Sequence, residues 1–298
     1  MEIRSLFFKA LRAALKPLPV KRLRSLPFAG SVYRALYRAV KPSGIVRQEC
    51  RGILMWFDSR DEGIARQILL NGNYEEFETE TLEGLLQPGM HLVDIGANFG
   101  YFTLVGAKRV GGSGKVTAFE PEPANHALLC KNIEDNGLAQ VKPHSIALSD
   151  REGKLSLFKD AANMGNPSLA KSNVPELAGS LEVVTRPLDE VLDDSASLHV
   201  DVIKMDVQGA EAAVLRGARR TLAANPSIRI LMEFWPKGIR NMGDDPMEML
   251  RELSDQGFRF SLFSDLRNEL VPASAEELLS ACDTRFEGQD FVNILARR

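Results

Sequence analysis

The sequence predicts an α/β protein built on a doubly wound, mostly parallel sheet, and three observations predict it. From His91 onward, short apolar runs alternate with amphipathic helical stretches. Most of the runs close on an acidic residue. The first run also turns into its helix through a glycine-bearing loop, Asp94-Ile-Gly96-Ala-Asn98-Phe-Gly100. Alternation of this kind needs crossover connections, which cover both faces of a parallel sheet with helices.

Taken in order, the expected strands are His91–Asp94, Lys115–Glu120, Val141–Leu148, Val200–Asp206 and Ile228–Phe234. The helical stretches between and after them include Tyr101–Val110, Pro123–Asn136, Ala210–Ala224 and Pro246–Gln256. Phe258–Phe263 and Asp290–Ala296 read as two further strands forming an antiparallel closing hairpin, with no strongly periodic helix between them. That makes seven strands, the last antiparallel. Lys159–Leu177, rich in Asn, Ser, Gly and Pro, reads as a loop. There is no internal repeat and no low-complexity tract.

The region before the sheet differs in character. From Ser5 to Lys16 apolar residues recur at helical spacing opposite Lys9, Arg12 and Lys16, and Pro17 ends the run. A second basic helix is expected from Ser31 to Val40. Ile45-Val46 and Ile53–Phe57 read as a short hairpin, followed by a helix over Glu62–Asn71. The expected organisation is therefore a basic accessory region over residues 1–71 and a catalytic domain over residues 72–298.

Charge separates the same two parts. The net charge is −3, yet residues 1–51 carry twelve Lys or Arg against two Glu, so that segment is +10 and the remainder −13. With 298 residues, 44% of them hydrophobic, the chain can bury a core without disulfides or metals. Cys50, Cys130 and Cys282 form no CxxC pair, which suits a reducing compartment. No run approaches the apolar length of a transmembrane helix, and no small-residue cleavage site follows the start. The expectation is a cytoplasmic protein, with residues 1–41 a candidate peripheral contact for anionic membrane surfaces. A solvated cap packed on the catalytic domain is the first reading of that region, and the membrane contact the second. Nucleic acid is a disfavoured partner, because the acidic body repels phosphates and the basic arm has little aromatic interleaving.

In open α/β sheets ligands bind beyond the carboxyl ends of the strands. The residues there are Asp94, Glu120, Ser149-Asp150, Asp206 and Glu233. Gathering that much negative charge on one rim suits a cationic or polyhydroxyl ligand. Gly96 permits a tight turn, Gly100 permits close packing of the helix, and the amides at the helix start favour an anionic group. Asn98 stands where a dinucleotide-binding loop has its second glycine. Glu120 follows Gly100 by twenty residues, where an acid can accept both ribose hydroxyls. Together these point to a nucleoside ligand without a pyrophosphate. No His or Asn completes a ligand set beside the carboxylates, so no metal is expected.

The run Val93-Asp-Ile-Gly-Ala-Asn-Phe-Gly-Tyr-Phe-Thr103 resembles the cofactor loop of FkbM-type methyltransferases. So do Phe119-Glu-Pro-Glu-Pro123 with Asn132 and Asn136, Ala147-Leu-Ser-Asp150, and Pro187-Leu-Asp-Glu190. Ile203-Lys-Met-Asp-Val-Gln-Gly-Ala-Glu211, Met232-Glu233 and Asn293-Ile-Leu-Ala-Arg-Arg298 match as well. The resemblance covers roughly residues 72–298 and departs at Gln208, where the family usually has Glu. It implies a class I, Rossmann-like fold, S-adenosylmethionine as cofactor, and methyl transfer to a hydroxyl of a sugar, glycolipid or secondary metabolite.

Residue by residue, it implies Asp94 near the cofactor's amine, the Gly96, Asn98 and Gly100 loop near its carboxylate, and Glu120 with Pro121 at the ribose. Ala147 to Ser149 would lie along the adenine. Asp206 and Glu233 would face the sulfonium and the acceptor, with Asp206 the first candidate for the base and Glu233 the second. Trp235 is a candidate for lining the acceptor pocket, while Glu211 reads as a first-turn helix carboxylate. Two other functions compete. A nicotinamide-dependent oxidoreductase is disfavoured by Asn98 and the acid-terminated fourth strand, and Gln208 is the feature that favours a non-catalytic family member.

Overall fold

A computed structural model describes residues 41–161, 167–194 and 198–298, so the basic helices expected before residue 41 lie outside the described residues. The described chain begins with strands β1 (Ile45–Cys50) and β2 (Ile53–Asp58), paired antiparallel in the expected hairpin. Its two-residue turn is Arg51-Gly52, both with positive φ (53° and 72°), the geometry that matches the strands' own twist. Helices α1 (Ile64–Asn71) and α2 (Glu76–Leu85) follow.

Five parallel strands come next: β3 (His91–Ile95), β4 (Lys115–Phe119), β5 (Val141–His144), β9 (Val202–Met205) and β10 (Arg229–Phe234). Together with β11 (Arg259–Ser264), β12 (Glu269–Ala273) and β13 (Val292–Arg297) they form one sheet, in the order β12-β11-β13-β10-β9-β3-β4-β5. The last strand, β13, runs antiparallel between β10 and β11, as expected. The sheet has eight strands, not seven. The added edge strand, β12, pairs antiparallel with β11, and a helix over Ala275–Asp283 fills the interval read as helix-free. That helix carries a complete capping box, Ser274 with Glu277, a local signal present in the sequence.

Three other expectations change. The run Val141–Leu148 breaks at Ser145-Ile146: β5 holds the sheet edge, where Pro143 is tolerated, and β6 (Ala147–Leu148) joins a second sheet. That three-stranded sheet contains the long hairpin of β7 (Gly153–Asp160) and β8 (Leu177–Arg186), so strands reach into both ends of the segment read as a loop. The helix expected over Ala210–Ala224 is two, Glu211–Arg216 and Arg219–Ala224. The break falls at Gly217, where a Cβ would lie 2.0 Å from the Ser149 carbonyl oxygen, so a tertiary contact sets it.

Period-two alternation divides the strands between two cores. Val93, Ile95, Ile203, Met205, Ile230 and Met232 face one, under the helices from Leu188 onward. Leu92, Val202, Leu231 and Leu295 face the other, under α1, α2, helix α3 (Tyr101–Val110), helix α4 (Pro123–Asp135) and the hairpin. The hairpin is clipped to α4 by two side chains. Asn132 Oδ1 accepts from the Trp56 amide (2.6 Å) and its Nδ2 donates to the Trp56 carbonyl (2.9 Å), while Asn136 does the same at Leu54 (3.1 and 2.7 Å). Four helical residues (~6 Å) match two strand residues (~6.6 Å), so the two amides imitate a neighbouring strand. Among the described residues no helix is long and apolar enough to cross a membrane.

Candidate functional site

The loop between β3 and α3 is shaped by positive φ at Gly96 (81°), Asn98 (53°) and Gly100 (98°). Gly96 has no substitute: a Cβ there would lie 1.9 Å from the Asp206 carbonyl oxygen. At Gly100 a Cβ would meet Leu129 and Leu104 at 2.6 and 2.9 Å. The loop is therefore drawn against β9 and α4 by backbone proximity that only glycine permits. Every amide from Gly96 to Gly100 has a partner. Gly96 and Ala97 donate to the Phe119 carbonyl, Asn98 to Glu120 Oε2 (2.8 Å), Phe99 to Asn98 Oδ1 (2.7 Å), and Gly100 to Ala97.

Glu120 is buried at the end of β4, and its other oxygen accepts from the Glu122 amide at 2.8 Å. Burial pushes its carboxyl up to about 8, against the opposing pull of those two amides. Two lone pairs remain on its oxygens for hydroxyl donors. Beside it a cleft opens, with Gly96, Asn98, Glu120, Pro121, Ala147 and Asp206 among its lining residues. Its remaining wall is largely apolar, from Ile95, Phe119, Ile146, Leu157 and Leu169 among others. Ser149 does not line this cavity; its amide donates to the Arg186 carbonyl and its hydroxyl to Asp150 (3.4 Å).

The second part of the site gathers on one face of the sheet. Asp94 and Lys204 are register partners on β3 and β9, and Glu233 and Asn293 are partners on β10 and β13. Asp94 is buried and accepts a hydrogen bond from Thr103 on α3; burial raises its carboxyl to about 6, with Asp206 adding to the effect. Lys204 is buried with its ammonium 4.8 Å from the Phe102 ring centroid. Burial opposes its charge, but Asp206, Glu78, Glu75 and Asp94 outweigh burial and hold it protonated. Glu78, buried on α2, accepts from Asn293. Burial raises Glu78 well above the ordinary carboxyl range, and its neighbour Glu75 adds to the rise.

Gln208 joins the two candidate catalytic carboxylates. Its Nε2 donates to Asp206 Oδ1 at 2.7 Å and to Glu233 Oε1 at 3.1 Å. Burial, then Asp206 and Glu211, push Glu233 well up. Glu211 is fully buried; one oxygen accepts from the Gly209 amide (3.1 Å), and the other has no partner. Burial raises it to about 7, and it stands in the first turn of its helix, as expected. Trp235 packs against Gly238, where a Cβ would lie 2.2 Å from the ring, and its indole nitrogen is buried without a partner. Lys204, Glu75 and Glu78 were missed as site residues. Lys204 was in view inside a matched motif, but Glu75 and Glu78 carry no local signal, because only the tertiary fold lays α2 over β9.

The donor set fits S-adenosylmethionine. Carboxylates suit its ammonium and sulfonium, Glu120 retains acceptor capacity for a ribose diol, and the apolar wall suits an adenine ring.

Comparison with known proteins agrees. The family model "Methyltransferase FkbM domain" matches residues 94–260. Methyltransferase sdnD of Sordaria araneosa is 31% identical over 199 residues, covering 56% of this chain and 73% of that protein. 2-O-methyltransferase NoeI of Sinorhizobium fredii is 29% identical, covering 46% of this chain and 61% of its own. Hexuronic acid methyltransferase AglP of Haloferax volcanii is 26% identical, covering 55% and 61%. The chain spans about half to three quarters of the length of the curated relatives it matches.

Proposed function

The chain belongs to the FkbM methyltransferase family, and from that premise we propose that it transfers a methyl group to a hydroxyl oxygen of a sugar, glycolipid or secondary metabolite. The methyl donor is S-adenosylmethionine, which when bound supplies an electrophilic methyl group on a sulfonium sulfur. The observation that carries the reading is Glu120, buried and braced by two amides at the edge of a largely apolar cavity that also reaches Asp206.

In this reading Glu120 accepts the ribose hydroxyls, and Pro121, Ile146 and Ala147 shape the slot for the base. Asp94, oriented by Thr103, receives the ammonium. The Phe99 amide, now satisfied by Asn98 Oδ1, is the donor that rotation of the Asn98 side chain releases for the carboxylate. Holding the acceptor oxygen on the displacement axis is worth up to ~7–11 kcal/mol. Asp206, or Glu233 beside it, takes the hydroxyl proton and adds about 10²–10⁴-fold.

The acidic rim supports a neutral acceptor over a carboxylate-bearing one, since Asp206, Glu233, Glu75 and Glu211 crowd the position and Lys204 is already shared among acids. NoeI's name, a 2-O-methyltransferase, supports transfer to oxygen. The test is labelled-methyl transfer from S-adenosylmethionine to fractionated glycans, glycolipids and metabolites. An alkali-stable labelled ether is expected. Label only in alkali-labile methyl esters, or none, overturns the reading. Residues 1–41, with ten Lys or Arg, are proposed as a peripheral contact to anionic membranes. Flotation of the full chain with anionic but not neutral liposomes supports this, and no flotation removes it.

A further inference from the structure

Gln208 is held at both ends. Its backbone sits at φ 53°, and its carbonyl oxygen accepts from Ser168 Oγ (2.8 Å) and Asn173 Nδ2 (2.9 Å). The next residue, Gly209, has φ 103°, and a Cβ there would lie 2.6 Å from both Asn173 Nδ2 and the Gly238 carbonyl oxygen. Asn173 is itself fixed by Asn241 Nδ2 at 2.7 Å. The backbone therefore cannot drift, and the side chain reaches Asp206 and Glu233 from a fixed base.

We propose that Gln208 is a positioning residue that holds Asp206 and Glu233 as an aligned pair of hydrogen-bond acceptors. A primary amide nitrogen has two hydrogens, and here each is directed to a different carboxylate. An amide does not titrate, so it remains a donor at every working pH. Glu at this position would donate one hydrogen at most, and only when protonated, and it would otherwise add a third like charge. With Gln208 in place, the facing oxygens are satisfied and the remaining oxygen of each carboxylate is left for the acceptor hydroxyl. The residue thus bridges two candidate bases without neutralising either.

The surroundings sharpen the consequence. Glu233 faces Asp206 and Lys204 from β9, Glu211 from the following helix, and Glu75 from the start of α2. Lys204 favours its charged form and the three acids oppose it. Removing the Gln208 donor leaves the acids less opposed, so Glu233 holds its proton to higher pH.

The inference rests on the methyl-transfer reading, and its test needs no acceptor. In the ligand-free full chain, the Glu233 carboxyl carbon is followed by NMR against pH in wild type, Gln208→Glu and Gln208→Met, with Glu233→Gln giving the assignment. The Glu233 midpoint is expected to rise by about one unit or more in both variants, most in Gln208→Glu. Calorimetry then compares S-adenosylmethionine with its demethylated product, whose thioether sulfur is uncharged. Gln208→Glu is expected to favour the sulfonium by about threefold or more over wild type, as an added negative charge requires. An unmoved midpoint in folded variants that still bind the cofactor overturns the role of Gln208. A wild-type chain that binds neither ligand overturns the methyl-transfer reading beneath it.

Discussion

The Asn98 amide donates to Glu120 Oε2 at 2.8 Å, so the loop after β3 and the carboxylate ending β4 are one bonded unit. Glu120 is a cost to the ligand-free fold. Its carboxyl is raised from 4.5 to about 8, so the folded chain binds the proton more tightly than the unfolded chain. That contribution is complete below about pH 4.5 and is lost as pH rises towards 8. Glu120→Gln should therefore stabilise the ligand-free protein at pH 8 by about 2–4 kcal/mol in chemical denaturation. It should also weaken S-adenosylmethionine binding by about 10–100-fold. Equal stability of the two proteins at pH 8 would contradict the burial argument.

Gly96→Ala tests the close approach of β3 to β9. The new Cβ would collide with the Asp206 carbonyl at a position whose φ is already 81°. A loss of about 2–5 kcal/mol is expected in denaturant unfolding, with cofactor binding abolished. A variant within ~0.5 kcal/mol of wild type would show that the loop has another conformation available.

Asp206→Asn and Glu233→Gln separate binding from chemistry. Removing a charge beside the sulfonium should weaken S-adenosylmethionine binding by about threefold or more, and at saturating cofactor the variant lacking the base should lose about 10²–10⁴-fold in kcat for labelled-methyl transfer. Full turnover in both variants would remove both groups from proton transfer.

Asn132 links the hairpin to the loop after β3, since its Nδ2 donates to the Phe99 carbonyl (2.8 Å) as well as to Trp56. Asn132→Ala should destabilise the fold by about 1–3 kcal/mol through the backbone groups it leaves unpaired. Hydrogen exchange at the Leu54 and Trp56 amides should quicken, with protection unchanged in β10. Unchanged exchange at Trp56 would show that the amide clip is not what holds the hairpin.

How much of this was legible follows from where each signal resides. The turn at Gly96, the carboxylate at Glu120 and the strands around them are local patterns, and the sequence carries them within a few residues. The close approach of Gly217 to Ser149 and the hydrogen bond from Asn293 to Glu78 across 215 residues are tertiary contacts, so neither partner can be read locally. The hairpin of β7 and β8 was legible in principle, because Leu155 and Leu157 alternate with polar residues, but the Gly, Asn, Ser and Pro between the strands outweighed that pattern. Gln208 stood out in the sequence as a departure from the family, and its bridging of two carboxylates appeared only when β9 and β10 were laid side by side.

The central claim is that a sulfonium nucleoside binds along Gly96, Glu120 and Asp206. Titration calorimetry of the folded full chain with S-adenosylmethionine, and with NAD as the control, tests it most directly. The expected result is a one-to-one complex with a dissociation constant on the order of 10 µM for S-adenosylmethionine and no heat with NAD. Binding of NAD, or of neither ligand by a chain that is demonstrably folded, would contradict it.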